Sequence, residues 1–108
     1  MFLTLALSLC LASVKAEAIG RYPEYNAQIN RVGLPSVDYR RHLGFSWRRL
    51  SFVQASCDGF RYPQVRVTVD KNPSVTLYRL RHELAHFIVF AAGLPVGEHK
   101  ALDRLAGR

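Results

Sequence analysis

A chain of 108 residues, 49% hydrophobic and 21% charged, suffices for one domain and is too apolar for an intrinsically disordered one. Its formal net charge of +7 favours anionic partners. The arginines are dispersed, as the pairs Arg40-Arg41 and Arg48-Arg49 and as singles, with no dense run interleaved with aromatics. A dedicated nucleic-acid module is therefore not indicated.

Residues 1–18 read as an export signal. Phe2 to Ala12 is an apolar run of signal-core length, too short to span a bilayer. Ala16-Glu17-Ala18 then places small residues where a signal peptidase reads them. Cleavage after Ala18 would leave one domain, residues 19–108, in a secreted or periplasmic location. No Lys or Arg precedes the run, and Lys15 lies on its far side. The alternative is thus a buried N-terminal helix of a cytoplasmic protein. Of the two cysteines, Cys10 would leave with the signal and Cys57 would stand alone, so no internal disulfide is expected. Cys57 reads as a small buried hydrophobe.

Turn formers Gly20, Pro23, Gly33 and Pro35 bound the next stretch, with a short helix over Glu24 to Val32. Residues 36–46 carry no assigned element and are broken by Gly44. Two strands follow. Arg48 to Ala55 puts Leu50 and Phe52 on one face, and Gln64 to Asp70 alternates Val65, Val67 and Val69 with Arg66 and Thr68. The turn chemistry of Cys57-Asp58-Gly59 joins them as an antiparallel hairpin with one face toward water.

The period then changes from two to 3.6. Asn72-Pro73 is a helix start: Asn caps the unpaired N–H groups, and Pro suits the first helical position. Leu77, Leu80, Leu84, Phe87, Ile88 and Ala91 recur at helical spacing, and Gly93 and Pro95 end the pattern. This predicts a helix over Pro73 to Ala92 and a second, short one over Glu98 to Leu105. The fold class expected is α+β, a small antiparallel sheet packed on the long helix. So small a core lies near the lower limit for a stable domain.

The long helix carries His82-Glu83-Leu84-Ala85-His86. Residues four apart lie one turn above each other, so both imidazoles can reach one ion. Glu83 projects to the flank, where it can take a proton from a water activated by that ion rather than ligate it. Taking about 100° per residue, the histidines fall nearly opposite the apolar stripe. Their neighbours there, Val89 and Phe90, are apolar, which predicts a half-covered face such as the floor of a cleft. Zinc in a catalytic site takes three protein ligands. Beyond the Gly93–Gly97 turn stand His99, thirteen residues after His86, and Glu98, twelve after it. His99 is favoured and Glu98 is the alternative, since a first-turn Glu is also accounted for by the helix dipole. His42 is a more distant candidate.

At these residues the chain resembles the zincin metallopeptidases. The spacing from His86 to His99 resembles that of the SprT-like proteins, over residues 75–105. Gly93, seven residues after His86, does not fit the metzincin spacer, and Lys100 stands where SprT-like proteins commonly carry Gly. The resemblance implies a Zn2+ ion, Glu83 as general base, and hydrolysis of peptide or protein substrates, with acidic ones favoured by the charge. It also implies an oxyanion-stabilising group, for which Tyr78, Tyr62, His42 and several arginines are available. Two alternatives stand beside this: a non-catalytic, zinc-stabilised binding protein, and a basic, SprT-like nucleic-acid-associated protein.

Overall fold

The computed structural model describes residues 2–41, 51–54 and 64–107. The order of elements is helix α1 (Phe2–Arg21), a 3-10 turn (Pro23–Tyr25), helix α2 (Asn26–Asn30), strands β1 (Ser36–Arg41), β2 (Ser51–Gln54) and β3 (Gln64–Val69), then helices α3 (Pro73–Ala92) and α4 (His99–Leu105).

Helix α3 is the hub. Its start is built as the sequence prescribes: the Asn72 side chain accepts from the Ser74 N–H, and Pro73 takes the first helical position. Asp70 reinforces this entry by accepting from the Asn72 N–H at 2.9 Å. Buried Thr76 is satisfied by the Asp70 backbone. At the other end Gly93 turns left-handed (φ 69°), and the Leu94 N–H returns to the Val89 carbonyl. Packed around α3 are β2 and β3, α1, α2 and α4.

The sheet order is β1-β3-β2. β2 pairs antiparallel with β3, with Ser51 opposite Val67 and Gln54 opposite Gln64. β1 pairs parallel with β3, Val37 opposite Val65 and Tyr39 opposite Val67. The small antiparallel sheet expected from the sequence is therefore corrected to a mixed one. The parallel pair is possible because the long excursion through β2 separates β1 from β3, enough chain for a crossover. The stretch from 36, left without an element, supplies that third strand: Val37 and Tyr39 alternate with Asp38 and Arg40, a period-two signal only two apolar residues long. The expected hairpin turn at Cys57-Asp58-Gly59, and the strand residues 48–50 and 55, lie outside the described residues.

The short helix expected over Glu24 to Val32 resolves into the 3-10 turn and α2, with Ile29 fully buried. Helix α1 spans the segment read as an export signal and continues past it. Leu7, Cys10, Leu11, Val14 and Ala18 enter the same core as Leu80, Leu84 and Ile88 of α3 and Val65 and Val67 of β3. The Ala18 carbonyl accepts from the Tyr22 N–H, so the Ala18–Ile19 bond lies inside helical backbone. Each such aliphatic side chain contributes on the order of 1.5–3 kcal/mol when taken from water. Among the described residues no helix is long and apolar enough to cross a membrane.

Candidate metal centre

Three imidazoles meet where α4 folds back over α3. His82 and His86 come from consecutive turns of α3, and the turn from Gly93 to Glu98 delivers His99 at the first position of α4. Ring centroids are 4.9 Å apart for His82 and His86, 4.7 Å for His82 and His99, and 5.1 Å for His86 and His99. One nitrogen from each ring lies within 4.8 Å of those of the other two, close enough to share one metal ion. Among the described residues this is the one such group. Glu98 is not in it and occupies the exposed position just before α4. His42 and Tyr62 lie outside the described residues.

The triangle is shut on one side and open on the other. His82 and His86 are half-buried and His99 is exposed, so an ion would meet protein on the α3 side and solvent beyond His99. His86 is held neutral: burial, then the His82 and His99 rings, lower its pKa from 6.5 to about 4, against a smaller opposing pull from Asp103. A neutral imidazole is the form that ligates, so this ring is prepared for a cation across the physiological range.

His82 is oriented by Asp103. Its Nδ1 lies 3.0 Å from Asp103 Oδ1, and the Tyr78 hydroxyl donates to the same oxygen at 3.3 Å. Desolvation raises the Asp103 pKa, but the His82 hydrogen bond and charge, with smaller help from Tyr78 and His99, outweigh it and hold the carboxyl below its usual range. An ionised carboxylate only accepts, so Nδ1 carries the proton and Nε2 keeps its lone pair for an ion. Asp103 was not singled out from the sequence. The signal was there: it stands four residues after His99, one turn along the same face. Tyr78, weighed as a stabiliser of developing charge, is one turn before His82, with ring centroids 6.1 Å apart.

Glu83 is enclosed by the protein. It is 3% exposed, and its Oε1 is buried with no hydrogen-bond partner. Desolvation alone lifts its pKa from 4.5 to about 8. The reason is geometric: α3 is covered by sheet, α1 and α4 on three sides, so its flank is interior. The apolar stripe shifts for the same reason, with Ala91 exposed and Ala92 buried, and Phe90 is half exposed.

These residues fit a divalent cation. Three nitrogen donors converge, and the second nitrogen of one is fixed by a carboxylate; on the same helix, the Glu83 Oε1 is buried without a partner from the protein. Comparison with protein-family models, with curated proteins and with solved structures finds no match. The arrangement can therefore hold a metal ion, and the chemistry follows from the donors themselves.

Proposed function

We propose that the chain is a zinc-dependent metallopeptidase of zincin type, with His82, His86 and His99 as ligands and Glu83 as general base. The observation that carries this reading is the pairing of a three-imidazole triangle with an unpartnered buried carboxyl one residue from the first ring. All-nitrogen donors with one open side suit zinc in a catalytic site. An ion held there supplies Lewis acidity, which polarises a carbonyl and makes water more acidic.

The protein's own part is proton management and orientation. Burial lifts the Glu83 pKa to about 8 in the metal-free chain, so it holds a proton near neutral pH; a cation bound nearby would favour its ionised form, in which it can take a proton from water and return it to a leaving amine. Asp103 and Tyr78 keep the His82 ring from turning. Exposed His99 leaves an approach from solvent on its side, and the net charge of +7 favours acidic peptide segments. The likeness to SprT-like proteins rests on the His86-to-His99 spacing.

A second reading, a zinc-stabilised binding protein, is favoured by the bridge between α3 and α4: an ion there would link two elements of a small domain and add to its folding energy. On location, an exported chain would lose residues 1–18. The packing of α1 supports a working form that keeps them, as the cytoplasmic alternative requires.

The test is Glu83→Gln in the zinc-loaded full chain, assayed against unfolded protein substrates. The expected outcome is full metal content with hydrolysis lost. Hydrolysis at the wild-type rate would remove Glu83 as base, and a wild type inactive on every substrate with zinc bound would favour the binding protein.

A further inference from the structure

One side chain ties together the three helices around the metal centre. Arg81 precedes His82 on α3, so it leaves the helix about 100° away from that ligand. Its Nε donates to the Ala106 carbonyl at 2.6 Å, at the end of α4. Its Nη2 donates to Ser13 Oγ on α1 at 3.0 Å. The guanidinium's charge also acts on the Cys10 thiol, a buried side chain of α1, whose pKa burial raises and Arg81 partly lowers.

Gly107 makes room for this contact. It adopts φ +91°, and a Cβ there would sit 2.7 Å from Arg81 Nη2. An L-residue would therefore be strained in its backbone and would also push the guanidinium aside.

Helix α4 needs such ties. Seven residues are too few to hold a helix in water without tertiary contacts. Its apolar anchors are Leu102, Leu105 and the adjoining Ala106, and polar ties also bind it to α3. Asp103 reaches His82 and Tyr78 near the middle, and the Ala106 carbonyl meets Arg81 at the C-terminal end, where a cation also suits the helix dipole. His99 stands at the opposite end, exposed and carried by nothing but α4 and the turn before it.

We propose that Arg81 is a positioning residue of the metal centre: by clamping the end of α4 and the middle of α1 onto α3, it fixes where His99 stands relative to His82 and His86, and it makes metal affinity depend on α1. This rests on the three histidines being the ligands. Processing after Ala18 would then weaken metal binding although it removes no ligand, because Ser13, the partner of Arg81 on α1, would leave with the cut segment.

The experiment is titration of the full metal-free chain with cobalt(II), read by visible absorption, with secondary structure followed in parallel. Arg81→Met is expected to keep its helices but bind cobalt 10- to 100-fold more weakly, the range for loss of an orienting partner. Its spectrum should move toward that of His99→Ala. Gly107→Ala, which keeps Arg81 but displaces its guanidinium, should move affinity and spectrum in the same direction. Ser13→Ala should do so by less, and Arg81→Lys should recover part of the loss. Arg81→Met and Gly107→Ala binding cobalt as wild type does, while His99→Ala does not, would overturn this inference and leave the metal centre standing. A wild-type chain that binds no cobalt would overturn both.

Discussion

Helices α1 and α3 are both twenty residues long and both lay a stripe into the same core, yet they treat their polar groups differently. In α1 several polar side chains stay at the margin and find partners there. Lys15 donates to the Val32 carbonyl at 2.7 Å, Glu17 pairs with Arg21 at 2.8 Å, and Ser13 accepts from Arg81. In α3, Glu83 Oε1 is buried without a partner, and the His82 and His86 imidazoles of the same helix are half-buried. A helix whose task is folding avoids such an arrangement, since a buried carboxyl without a hydrogen bond is costly. The contrast separates scaffold from candidate site: α1 supports the core, and α3 carries both core residues and the histidines that could hold a metal ion.

Core substitutions sharpen the comparison most strongly. Leu84→Ala, at a fully buried position of α3, should cost about 2–5 kcal/mol in chemical denaturation of the full chain. Val14→Ala, equally buried in α1, should cost on the order of 1–3 kcal/mol. A Val14→Ala chain as stable as wild type would show that α1 is not part of the working core, and the comparison would fall with it.

The next effect isolates the orientation of a ligand. Asp103→Asn retains size but loses the charge that fixes the His82 tautomer. Zinc affinity should drop about 10- to 100-fold, with the melting curve of the metal-free chain nearly unchanged. An unaltered zinc affinity, measured by competition with a chelating dye, would mean that His82 needs no such partner.

The smallest effect is a slope. In the metal-free chain the Glu83 pKa is raised from 4.5 to about 8, so the folded state keeps a proton that the unfolded state releases. Its contribution is fully present below pH 4.5 and is lost as pH rises toward 8. His86 is lowered from 6.5 to about 4, so its contribution runs the other way, falling as pH drops from 6.5 to 4. The two oppose each other between about pH 4.5 and 6.5, and above that Glu83 acts alone. Stability of the metal-free chain should therefore decline from pH 6.5 to 8, by at most about 1.4 kcal/mol per unit. In Glu83→Gln that decline should be gone. A flat wild-type profile would place the carboxyl in contact with water.

Much of this was legible in the sequence where local chemistry decides. Asn72-Pro73 and Gly93 bracket α3 at the observed residues, and α4 begins within one residue of its expected start. The three histidines follow from spacing: one turn between two of them, and a short reversal before the third. What escaped depends on tertiary contact. The α1 stripe at Leu7, Leu11, Val14 and Ala18 is in the sequence, but uniform apolar character from Phe2 to Ala12 hides its period, so the run reads either as a leader or as a buried helix. β1 shows only Val37 and Tyr39 of its alternation, and its parallel partner is far along the chain. Glu83 reads as a flank residue until α1, α4 and the sheet close around α3. Asp103 sits correctly on the face of α4, yet only the crossing of α4 over α3 brings it to His82.

The most direct measurement is zinc stoichiometry by mass spectrometry under native conditions, on zinc-replete full chain beside His86→Ala, His99→Ala and Glu98→Ala. One ion per chain is expected in wild type and Glu98→Ala, and none is expected to survive dilution in either histidine variant. A metal-free wild type, or retention of the ion by both histidine variants, would contradict a centre built from His82, His86 and His99.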